Sequence, residues 1–293
     1  MTFLNEVIVP GIASGATYGL FALAFVVLYR ATGVLNFAHG QLVMLMPLSV
    51  VVLSSKWGLP VVPSFALALL FVLFVALLEE RVAIRPFMQG GRALPWILST
   101  LGFSVVLTEV MSIPYHDEAV AFPWGFSARF HSILGGVEVS VANIVTVVIF
   151  LVLVGLLMLF DTRTVAGLRL RAVSQDRLGA AALGIAPKTA SRLACAMAGG
   201  LAAVTGILIA STQLVDPNIG LTVLFSGFIA AAVGGFDSLP GTLVGGMVVG
   251  ILGQAASTYV GANWVQASLF GVLLIVFVVK PYGLFGRLNV RAV

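Results

Sequence analysis

The chain is a succession of long apolar runs, each closed by a short polar cluster. The first runs from Val7 to Tyr29 and stops at Arg30. As a helix it is about 34 Å long, enough to cross a bilayer with some tilt. A polar-interrupted segment, Ala31 to Gln41, leads into a second run, Leu42 to Leu53, and Lys56, Trp57, Gly58 and Pro60 make an interfacial turn. A third run, Val61 to Leu78, ends where Glu79, Glu80, Arg81, Arg85 and Arg92 read as a polar loop. Leu94 to Ile113 follows, then a loop of mixed charge, Pro114 to Glu138, with His116 and His131, then Val139 to Phe160. The longest hydrophilic stretch is Asp161 to Arg192. Beyond it come Leu193 to Thr212, Leu221 to Val233, Gly241 to Val260 and Trp264 to Val279. The pattern predicts an all-α, polytopic membrane helix bundle of about eight to nine transmembrane segments. Leu221 to Val233 is short for a crossing and reads either as a span or as a re-entrant half-helix, which needs protein around its open backbone.

Composition supports that reading. Of 293 residues, 60% are hydrophobic and 9% charged, and mean hydropathy is +1.13. Soluble domains carry about 25% charged residues, so lipid must solvate most of this chain. Residues 1–293 read as one transmembrane domain with no room for a sizeable second one. The net charge of +4 is modest and no basic run is interleaved with aromatics, so the basic residues set orientation and nucleic acid is not a partner. The start, Met-Thr-Phe-Leu-Asn-Glu, lacks a basic n-region and is expected to begin the first span. Lys/Arg concentrate near Arg85 and Arg92, in the 161–192 loop and at Lys280, Arg287 and Arg291. By the positive-inside rule these face the cytoplasm, and the loops near Asp216 and Gly261 face outward. The expected location is the bacterial inner (cytoplasmic) membrane.

Small residues crowd the spans: Gly199-Gly200, Gly234-Gly235, and Gly241, Gly245, Gly246, Gly250 and Gly253. The spacings of four suit close helix packing, and Gly234-Gly235 suits a helix break. The single cysteine, Cys195, excludes an internal disulfide and a thiolate metal cage. Its neighbours Ala194, Ala196, Gly199 and Gly200 make it a small residue at a helix contact.

Enzymatic chemistry finds no support. No lysine follows a GxxxxGK[ST] loop, and the three histidines are scattered with no HExxH. No catalytic residue, metal site or cofactor is expected in this chain. Two segments carry other chemistry. In Thr32 to Gln41 glycines and polar residues interrupt apolar sequence, so Asn36, His39 and Gln41 either line a solute pathway or cap helix ends. Glu109, near the outer end of its span, is expected to snorkel or to bond within the bundle. In Gly167 to Arg192, Ser174, Leu178, Ala181 and Ile185 fall on one helical stripe, predicting an amphipathic helix that Gly184 ends and Pro187 cannot continue. That helix either lies on the membrane or docks into a partner's groove.

The run GVLNFAHGQ, Gly33 to Gln41, resembles the signature of high-affinity branched-chain amino acid permeases, the LivH-type membrane subunits of ABC transporters. GLRLRAVSQDRLGAAALGI, Gly167 to Ile185, resembles the family's coupling loop. Gly227 to Gly250 resembles its GG-x-x-S-x-x-G segment, and Lys280 to Gly286 its terminal ending. One departure is Met46-Pro47, where the family often has a small, Gly-containing sequence. The resemblance implies an importer subunit working with a second related permease, two cytoplasmic ATPases that bind ATP, and a periplasmic solute-binding protein. It implies an ATPase-coupling role for Arg171, Gln175, Asp176, Arg177, Ala181 and Gly184, and a pathway role for Asn36, His39 and Gln41. Branched-chain amino acids are the expected solute. Urea or short amides, and a stand-alone channel or secondary transporter, are the alternatives.

Overall fold

The computed structural model describes residues 3–87, 93–115, 118–122, 130–133 and 137–286, with the side chains of 93, 130–133, 137 and 138 excepted. Arg92, His116, Arg287 and Arg291, and the side chain of His131, fall outside that description. The helices run in order as α1 (Val9–Thr32), α2 (His39–Val51), α3 (Val61–Glu79), α4 (Ala93–Ser112), α5 (Val141–Arg163), α6 (Val165–Gln175), α7 (Arg177–Ala182), α8 (Pro187–Ala210), α9 (Ile219–Gly234), α10 (Leu239–Tyr259) and α11 (Val265–Val279). Between α4 and α5 two short antiparallel strands, β1 (Phe130–Ile133) and β2 (Val137–Ser140), pair with Phe130 opposite Ser140.

Every predicted apolar run is a helix. Seven helical segments among the described residues are long and apolar enough to cross a membrane. The 16 residues of α9 span about 24 Å, short of a hydrocarbon core of about 30 Å. Helix α2 has 13 residues and continues as one wide π-helical stretch, Val52–Lys56.

Two expectations are corrected. The polar loop foreseen from Glu79 is helical: α3 continues as a π-helical turn, Glu80–Ile84, and a 3-10 turn, Arg85–Phe87. No glycine or proline interrupts the chain there before Pro86, and both glutamates find surroundings inside the protein. The single amphipathic helix through Ser174 and Ile185 is two helices, α6 and α7, parted at Asp176. Asp176 adopts an extended backbone and its carboxylate accepts the Leu178 N–H, so it caps α7 and ends α6.

The chain divides into two compact units: Met1–Val26, Ser127–Val154 and Phe225–Val293 form one, Val27–Phe126 and Gly155–Leu224 the other. In the first unit, glycines set the approach of backbones. A Cβ on Gly250 would lie 2.2 Å from the Gly15 nitrogen, and one on Gly245 2.1 Å from the Ala230 carbonyl oxygen. The α9 helix stops at Gly234, and Gly235 turns the chain with φ +102°. Ser238 then caps α10 by accepting the Gly241 N–H. The Leu284 and Phe285 amides donate to the Val233 and Gly234 carbonyls, which satisfies the end of α9.

In the second unit α2 is buried along its whole length, packed by α8, α3 and α4. Pro47 lacks an N–H, so the Val43 carbonyl has no donor one turn on. Gly206 of α8 lies against that carbonyl: a Cβ there would sit 2.1 Å from the oxygen. Proline in α2 and glycine in α8 thus make one contact, with the freed carbonyl facing a backbone instead of lipid.

Candidate functional site

All functional candidates from the sequence lie in the second unit. The segment Gly33 to Ala38 is a non-helical break between α1 and α2, opened by Gly33 at φ +71°. Its turn is locally specified. The Thr32 hydroxyl accepts the Val34 N–H at 3.2 Å, and Asn36 Oδ1 accepts the Ala38 N–H at 2.9 Å. Asn36, His39 and Gln41 are all buried. Gln41 Nε2 donates to Ser104 Oγ of α4 at 3.2 Å, while its Oε1 packs against Gly220 at the start of α9. Asn36 lies in the break, His39 and Gln41 in the first turn of α2, and all three are enclosed.

The residues that the resemblance assigns to a coupling loop occupy α6, α7, the residue between them and the turn after them. Arg171 Nη2 donates to Asp161 Oδ2 at 2.7 Å, and Arg30 lies 3.8 Å from the same oxygen. The end of α1, the end of α5 and α6 are thereby linked through one carboxylate. Arg177, the first residue of α7, reaches back to the end of α1: its Nη2 donates to the Ala31 carbonyl at 3.0 Å and to the Thr32 carbonyl at 3.2 Å. These are among the last carbonyls of a helix, which lack intrahelical donors and carry partial negative charge. Burial lowers the Arg177 guanidinium from its usual high pKa, yet an arginine stays charged.

Gly184 ends α7 as foreseen. Its N–H donates to the Ala181 carbonyl and that of Ile185 to the Ala180 carbonyl, with Gly184 at φ +80°, a Schellman closure. Pro187 begins α8. Gln175, Asp176, Ala181 and Gly184 are exposed, and Leu178 and Leu183 are 83% and 82% exposed. Arg171 and Arg177 instead bond within their own chain, so the exposed face at α7 presents Leu178, Ala181 and Leu183.

Sequence reasoning missed the interior acids. Glu79 and Glu80 are 1% and 0% exposed. Glu80 is fully engaged: Arg85 binds both its oxygens, with Nε to Oε1 at 3.1 Å, and the Ser191 hydroxyl of α8 donates to Oε1 at 2.9 Å. A π-turn stacks residues five apart, which is the separation of Glu80 and Arg85. The available signal was the unbroken run from Leu78 to Arg85 with oppositely charged residues at that spacing. Cys195 is a buried residue of α8. Glu109 is exposed on α4.

Comparison with known proteins agrees with this architecture. The family model for "Branched-chain amino acid transport system / permease component" matches residues 7–278. The high-affinity branched-chain amino acid transport system permease protein BraD of Pseudomonas aeruginosa is 30% identical, over 98% of this chain and 97% of its own. LivH of Escherichia coli K12, a permease protein of the same description, is 29% identical over 97% and 96%. Among solved structures, PsaBC from Streptococcus pneumoniae aligns over 94% of this chain at 15% identity with a TM-score of 0.48, too loose to establish a common fold. With its helix-breaking GVLNFAHGQ segment and its set of apolar helices, the chain belongs to the branched-chain amino acid transport permease family.

Proposed function

We propose that this chain is the membrane-spanning permease subunit of an ATP-binding-cassette importer. It passes branched-chain amino acids from a periplasmic binding protein to the cytoplasm, in company with a second related permease and two cytoplasmic ATPases that bind the ATP. The family and the full-length relatives support the solute class. The observation that carries the mechanism is the Arg177 clasp. A partner that seats on the exposed Leu178 and Leu183 and shifts α7 pulls directly on the last carbonyls of α1, immediately before the break that holds Asn36 and leads into His39 and Gln41 of α2. In this reading Arg171 and Arg177 transmit the motion, while Leu178, Ala181, Leu183 and Gly184 receive it.

The test is reconstitution. The tagged chain, co-expressed with the second permease and both ATPases, should retain the ATPases through purification. In proteoliposomes it should take up leucine only with ATP and the binding protein. Leu178→Glu with Leu183→Glu removes two apolar anchors worth about 1.5–3 kcal/mol each when buried and should cut ATPase retention at least roughly tenfold. Leucine flux through the purified chain alone, without ATP, would identify a channel and refute the importer reading, as would undiminished ATPase retention by the double variant.

A further inference from the structure

Between the end of α5 and the start of α8 the chain leaves the membrane and returns to it through α6 and α7. A cleft of about 470 Å³ opens in that return, within the size of small-ligand sites. Its walls come from α6, the turn after α7 and the first turns of α8. Leu170, Ile185 and Leu193 give it an apolar lining, and Arg169 and the Thr189 hydroxyl a polar one. Arg163 ends one membrane-capable helix and Pro187 begins another. Arg169 and Leu193 each lie within about two turns of those ends. The cleft therefore sits where hydrocarbon gives way to headgroups.

The charge around the cleft is unbalanced. Residues 161–192 hold six cations and two acids. Asp161 is taken by Arg171 and Arg30, Asp176 caps α7, and Arg177 holds the end of α1. Arg163, Arg169, Lys188 and Arg192 are exposed, and among the described residues no carboxylate lies within ion-pair reach of them. Lys188 and Arg192 are one turn apart on α8, each next to a residue that lines the cleft. On α6, Val165 and Leu168 are 65% and 51% exposed beside Arg169. Exposed aliphatic side chains next to cationic ones suit the boundary between acyl chains and headgroups.

We propose that this cleft binds an anionic glycerophospholipid. One acyl chain lies against Leu170, Ile185 and Leu193, and Arg169 holds the phosphate, with Thr189 donating to it and Lys188 and Arg192 adding charge at the rim. A guanidinium matches phosphate geometry, and basic pockets between membrane helices select anionic headgroups. An acidic segment of a protein partner would answer the charge, but it would not call for an apolar wall at membrane depth. Leu183 also lines the cleft, so the seat proposed for the ATPases adjoins the lipid. The lipid site itself does not depend on the importer reading.

The experiment titrates the full-length, delipidated chain in detergent with phosphatidylglycerol and, separately, with phosphatidylcholine, and reads the affinity of the first bound lipid by native mass spectrometry. The parent should prefer phosphatidylglycerol by at least roughly tenfold. Arg169→Gln with Lys188→Gln removes two exposed cations and should weaken phosphatidylglycerol roughly thirtyfold. Ala186→Phe, at an exposed position that lines the cleft, fills it without touching charge and should weaken both lipids roughly tenfold. Lys280→Gln removes an exposed cation in the other unit and should change neither affinity. Glycerophosphoglycerol, the headgroup without acyl chains, should not compete. Equal weakening by Lys280→Gln would show diffuse attraction only, and undiminished binding in either cleft variant, or competition by the bare headgroup, would likewise overturn the proposal. So would a charge variant that keeps its lipid but sheds the ATPases from the assembled transporter, which would give the cleft to a protein partner. Failure of the parent complex to transport leucine would count against the importer reading and leave the lipid result standing.

Discussion

Replacing Arg177 with alanine removes the guanidinium that bridges the Ala31 and Thr32 carbonyls at 3.0 and 3.2 Å. Hydrogen bonds from a charged donor contribute about 1.5–3 kcal/mol, and a cation at a helix C-terminus about 0.3–1 kcal/mol. Both bonds come from one nitrogen, so they count as a single forked interaction, and the net loss is about 2–3 kcal/mol. The loss falls on local opening of the break, where the amides of Gly33, Val34 and Ala38 are protected by Tyr29, Thr32 and Asn36. Hydrogen exchange in a peptide covering 33–38 should accelerate about 30- to 150-fold, with peptides from α10 unchanged. Arg177→Lys keeps the charge but not the fork and should recover only part of the protection. In the assembled transporter the alanine variant should keep its ATPases and hydrolyse ATP while losing most uptake, since Leu178 and Leu183 remain. Unchanged exchange in a folded Arg177→Ala protein would refute the clasp.

Gly206→Ala forces a methyl to within 2.1 Å of the Val43 oxygen and 2.9 Å of Pro47 Cδ, which should cost about 2–3 kcal/mol by overpacking; Gly200→Ala, with nothing within 4 Å, should be neutral or gain about 0.5–1 kcal/mol, and equal thermal midpoints in detergent would contradict the contrast. Tyr115 donates to the Leu48 carbonyl and lies under the Lys56 ammonium, 5.0 Å from its ring. Burial raises its phenol above the ordinary value, with the Val52 amide offsetting part of that. The folded value exceeds the unfolded one of about 10, so its stabilisation is complete below that pH and is lost as pH climbs toward the folded value. Alkaline unfolding should therefore show a slope that Tyr115→Phe lacks, and identical slopes would sink the assignment.

What the sequence determined by itself is everything that depends on a few consecutive residues. Runs of apolar side chains placed every long helix, since a helix satisfies its own backbone in lipid and asks nothing of its neighbours. Gly33, Gly184 and Gly234-Gly235 marked true breaks, because positive φ and the loss of helix propensity are properties of the glycine itself. The break at 33–41 and the loop at 161–192 could thus be singled out in advance. The tertiary structure decided the matters that turn on partners far away in the chain. Whether Glu80 ends a helix or sits inside it depends on Ser191, 111 residues distant. Whether Arg177 faces a partner or its own chain depends on Ala31, 146 residues away. Charge in a sequence predicts solvent unless something buried neutralises it, and only the fold brings that something near.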